Sequence, residues 1–252
     1  MTASALHPDE EGWAVIGDDL ALLARLHDRE IDADLIASLR AWPVADWFAL
    51  TLTGEEFEQA ARLLEEALSR APDPMTREAL DEMAAEYAAI YLNHTYRISA
   101  CESFWMGEDG LERQDAMFAA RRCYARLGFL APNWRLRADD HIAYELAFLA
   151  KAARRLGDPE VAREIAQFMR EHPLAWVPAF AGRVARRSLS PFYAGTALLT
   201  ASYLMNLGQL LQRYYGIEMT PVERKQPSTP GLQGPTCADP PPRYAPGLGP
   251  GW

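Results

Sequence analysis

Apolar residues recur at intervals of three and four along most of this chain, and that spacing constrains the fold more than any other feature. Leu20, Leu22, Leu23 and Leu26 follow it, as do Phe57, Ala60, Ala61, Leu64 and Leu68. A third stripe runs through Leu80, Met83, Ala84, Tyr87 and Ile90. Each stripe is one face of a helix. Val, Ile and Thr are few and Ala, Leu, Glu and Arg dominate, so the expected fold class is all-α, a helical bundle of about nine or ten helices.

Local signals divide these helices. Asp32-Ala33-Asp34 caps a second helix running to Trp42, and Thr53-Gly54-Glu55-Glu56 opens a third. Ala71-Pro72-Asp73-Pro74 is a break, and a fourth helix covers about 76–91. The first helix is expected over about 18–30, and 93–110 reads as a loop. A helix over 112–127 ends at Gly128, and the next runs from about Asp140 to Leu156. Gly157-Asp158-Pro159, His172-Pro173 and Ser190-Pro191 punctuate the rest. Half of the 18 prolines fall in the last 33 residues, where apolar periodicity stops. The expected organisation is one domain over 12–218, in halves 12–127 and 139–218 joined by the loop 128–138. A disordered Pro/Gly-rich tail is expected over 219–252.

Charge is uneven. The net charge of −10 is the sum of −17 over residues 1–119 and +7 over 120–252. An acidic half repels nucleic acid and suits a basic peptide. No apolar run reaches the ~20 residues of a membrane span, and the acidic N-terminus lacks signal-peptide order. Cys101, Cys123 and Cys237 form no CxxC. Together these lead to the expectation of a cytoplasmic protein with no cofactor, nucleic-acid partner or stable membrane insertion.

Polar chemistry concentrates in Arg137-Ala138-Asp139-Asp140-His141, with Glu145 one turn beyond His141. Three readings are open. The acids can cap a helix and complement its dipole. Asp139, Asp140, His141 and Glu145 can build a helical metal-dependent hydrolase, although zinc needs three or four ligands and the remaining histidines form no paired motif. The segment can also mark a peptide groove, with the aromatics Trp105, Trp134 and Trp176 either as anchors or as core. No Walker-type loop, nucleophile elbow, dinucleotide fingerprint or clear Cys/His pair is present. Beside Glu102, the Cys101 thiolate is expected to be disfavoured.

In order along the chain, Tyr91 with Glu102-Ser103-Phe104-Trp105, Tyr124 and Gly128 with Asp140-His141, and Phe168 with His172 to Phe180 form three matches. This pattern resembles the TorD/DmsD (NarJ-related) family of redox-enzyme maturation chaperones. The family's Glu-Pro before x-Asp-His is replaced by Arg137-Ala138; loss of the Pro is expected to loosen the loop, and the base in place of an acid to alter peptide binding. The resemblance implies a non-enzymatic, all-helical chaperone. Its partners would be an apo-molybdoenzyme catalytic subunit and that subunit's twin-arginine signal peptide. Client-binding residues would be Asp140, His141, Asp139, Glu145, Trp134 and Glu102. A monomer or a dimer swapped at the 128–138 loop fits such a chain.

Overall fold

The computed structural model describes residues 10–107, 109–133 and 135–222, and among these all regular structure is helical. Ten α-helices follow in order: α1 Glu10–Asp28, α2 Ala33–Arg40, α3 Glu55–Arg70, α4 Arg77–Tyr91, α5 Glu102–Met106, α6 Asp115–Arg126, α7 Ile142–Ala153, α8 Pro159–Glu171, α9 Pro173–Arg187 and α10 Pro191–Tyr215. The capping signals act as expected. Asp32 accepts from Leu35 N at 2.8 Å, Thr76 from Ala79 N at 3.2 Å and Asp158 from Glu160 N at 2.9 Å. Pro159, Pro173 and Pro191 stand in the first turns of α8, α9 and α10.

Two boundaries differ from the sequence reading. α1 begins two turns early, because Trp13 and Ile16 extend the stripe of Leu20 and Leu23 and are buried with it. The expected loop 93–110 contains the helix α5, which is too short to show a period.

The most extensive helix pairings are α1 with α7 and α3 with α10, and both join an early segment to a late one. Each seam has a glycine at its closest approach. A Cβ at Gly17 would lie 2.8 Å from Ala150 O, and one at Gly195 would lie 2.7 Å from Leu64 Cγ and 3.0 Å from Ala60 O. One hydrophobic cluster runs from Trp13 to Met219 across both segments. The packed body extends past 218: Met219 is buried, and Val222 N donates to Arg170 O at 3.0 Å. Most of the expected tail, 223–252, lies outside the described residues. Among the described residues, no helix is long and apolar enough to cross a membrane.

Candidate functional site

Three helix N-termini meet under the loop 128–138. α5 and α7 are joined by a short antiparallel bridge, Cys101 to His141, in which Glu102 N donates to Asp140 O at 2.9 Å and Ile142 N to Ala100 O at 2.8 Å. The start of α9 closes against them through His172. The polar residues singled out from the sequence face inward here. Glu102, Asp139, Asp140, His141 and Glu145 are all buried.

Each has its own partner. Asp139 pairs with Arg121 of α6, while its backbone carbonyl accepts the Tyr124 hydroxyl at 2.8 Å. Asp140 receives the hydroxyl of Ser103 and also Ser103 N at 2.8 Å. The cap of α7 is His141, not an aspartate: its Nδ1 accepts from Ala143 N at 3.2 Å. Glu145 accepts Trp176 Nε1 at 3.1 Å, and His172 Nδ1 donates to Glu102 Oε2 at 2.6 Å. This corrects the hydrolase alternative. Asp139, Asp140, His141 and Glu145 point to four different partners rather than to one centre, and no group of three such side chains among the described residues could hold a metal.

Burial sets the protonation of this network. It pushes the Asp140 carboxyl up to about 6 against the pull of the Ser103 donors. Burial, then the charge of Glu102, pushes Glu145 well above the usual carboxylate range. Burial, then the Arg137 cation, holds His141 well below the usual imidazole range, so it is a neutral cap. At His172 burial opposes charge, but the hydrogen bonds to Cys123 and Glu102 outweigh it and push the ring up to about 10. Cys123 Sγ lies 3.9 Å from His172 Nε2, a Cys/His pair that the sequence spacing did not show.

The outer side is apolar. Tyr124, Ala125, Phe129, Leu130 and Ala131 line a recess of about 400 Å³, with Arg121 and Asp139 in its wall. Leu130 is 87% exposed and Leu136 84%. At the other end of the loop Arg137 is anchored. It pairs with the Asp28 side chain, donates Nη2 to Asp28 O at 2.5 Å and lies over the Tyr144 ring. Beyond it opens a cleft of about 600 Å³ whose lining includes Leu80 and Leu92, the acids Asp28, Glu30, Asp32 and Asp81, and the bases Arg29 and Arg137. Trp134 lies outside the described residues. Trp105 and Trp176 are core. Arg121, Ser103, His172 and Cys123 were not among the expected site residues. His172 and Ser103 stand in the family-like matches and Cys123 among the three cysteines, but no local spacing marks Arg121.

Comparison with known proteins gives two findings. The family described as nitrate reductase delta subunit matches residues 52–182. Among solved structures, a candidate redox enzyme maturation protein from Archaeoglobus fulgidus is similar at 18% identity, covering 79% of this chain and 96% of its own, with a TM-score of 0.42. No curated protein matches.

Proposed function

This chain belongs to the nitrate reductase delta subunit family, the NarJ/TorD-type redox-enzyme maturation chaperones, and on that premise we propose that it binds an apo-molybdoenzyme catalytic subunit and its twin-arginine signal peptide in the cytoplasm. It acts by holding its client, without catalysis. The observation that carries this reading is the pair of recesses at the two ends of the 128–138 loop, one apolar and one whose rim carries four acids against two arginines. A twin-arginine signal peptide has the same two parts, a basic segment followed by an apolar one. The Tyr124–Ala131 recess and the exposed Leu130 and Leu136 receive the apolar part, while Glu30 faces the arginines and Asp28, Asp32 and Asp81 exchange their partners Arg137, Arg25 and Arg77 for them.

Asp139, Asp140, His141, Glu145 and Glu102 then act from behind the surface, as positioning residues that fix the wall of the recess. Asp139 is the link, because its carboxylate holds Arg121 and its carbonyl holds the Tyr124 hydroxyl, both at that wall. Fluorescence anisotropy with a labelled twin-arginine peptide tests the proposal. Binding is expected to weaken at least about tenfold for Leu130→Asp with Leu136→Asp, and again when both peptide arginines become glutamine. A peptide that does not bind, or that ignores both changes, refutes it.

A further inference from the structure

Two buried thiols of this protein have different neighbours. Cys101 is 5% exposed and Cys123 is 7% exposed. Around Cys101 the charged neighbours are carboxylates: burial first, then Asp140 and Glu112, pushes its thiol well up. Cys123 instead has two nitrogen partners. Arg126, one turn along α6, donates Nη2 to the sulfur at 3.3 Å, and His172 Nε2 approaches from the other side at 3.9 Å. The His172 ring is held in place by Glu102 at 2.6 Å and by stacking on Phe168 with ring centroids 4.7 Å apart. Arg126 is itself exposed and anchored to Glu164 at 3.2 Å, so the thiol lies directly beneath a solvent-facing guanidinium. Anionic sulfur is the reactive form of cysteine, and adjacent cations favour it.

We propose that Cys123 is a peroxide-modification site, at which hydrogen peroxide converts the thiol to a sulfenic acid between Arg126 and His172. The sulfur lone pair attacks one peroxide oxygen. An S–O bond forms as the O–O bond breaks, and the departing hydroxide takes up the proton given up by the thiol to leave water. Sulfur is oxidised by two electrons and peroxide is reduced by two, which is the first rung of the cysteine oxidation ladder. The two cations have distinct tasks. Arg126 stands at the solvent side, where peroxide arrives and hydroxide leaves. His172 holds the sulfur from the inner side and connects it to Glu102, so a change at the sulfur is one hydrogen bond from the buried network. Nothing in this inference rests on the client-binding reading.

The test uses the full chain carrying Cys237→Ser, treated in the native state with equimolar hydrogen peroxide in the presence of dimedone, a sulfenic-acid trap, followed by peptide mass mapping. Dimedone is expected on Cys123 at least about tenfold faster than on Cys101. That ratio is read within one folded molecule and needs no change to the buried network. Arg126→Ala is expected to slow trapping at Cys123 at least about threefold, and Arg126→Lys to restore it. Equal trapping at the two cysteines, adducts that appear only after denaturant is added, or an Arg126→Ala protein that reacts like its parent would each overturn the proposal.

Discussion

The segment 139–145 and the loop just before it divide their labour against the usual expectation for a polar motif. The acids and the histidine of 139–145 are inside, bonded to Arg121, Ser103, Ala143 N and Trp176. The leucines of the loop are outside. A dense polar motif therefore need not be the contact surface. Here it is the frame that joins α5, α6, α7 and α9, and the surface it supports is apolar.

The comparison breaks most readily at the buried ion pair. His172→Ala leaves Glu102 buried without its imidazolium and is expected to lower unfolding free energy by about 3–5 kcal/mol in urea titration. A surface-like cost under about 1 kcal/mol would mean that the inner network is not a frame.

Next is Asp140. Its folded value of about 6 lies above the ordinary 3.8, so folding takes up a proton. This contribution is fully present below pH 3.8 and is lost, by about 3 kcal/mol, as pH rises from there through 6, and Asp140→Asn should flatten that fall. His172 works with the same sign in a higher window. Its folded value of about 10 exceeds 6.5, so stability drains away between those values. Urea midpoints collected from pH 4 to 10 measure both.

Arg137→Ala should cost about 1 kcal/mol, since its Asp28 partner is partly exposed, and should raise hydrogen exchange in the 128–138 loop. Smallest of all, Leu130→Ala with Leu136→Ala should move stability by no more than about 0.5 kcal/mol while weakening peptide binding. A large loss of stability there would place these leucines with the frame instead.

Much of this fold is legible in the order of residues, because helix faces and caps are local. The stripe of Phe57, Ala60, Leu64 and Leu68 and the caps Asp32 and Asp158 depend only on near neighbours. The site is less legible. Glu102 and His172 lie 70 positions apart and meet only because α5 and α9 pack together. Nor does the Asp139-Asp140-His141 spacing say which side chain caps α7: the aspartates are the expected caps, and tertiary partners decide otherwise. Arg121 claims Asp139 and Ser103 claims Asp140, which leaves His141.

The two glycine-tightened seams also bear on how the chain is made. α1 is finished at Asp28, but its main partner α7 begins only at Ile142, and α3 waits from Arg70 until Pro191 for α10. A ribosome therefore releases most of the protein before either seam can close. The apolar faces of α1 and α3 stay uncovered during that interval, and the long loops must be closed before their contacts reward it. A molecule whose family tends unfinished enzymes is thus itself late to finish, and α10 closes the seam that α3 opened.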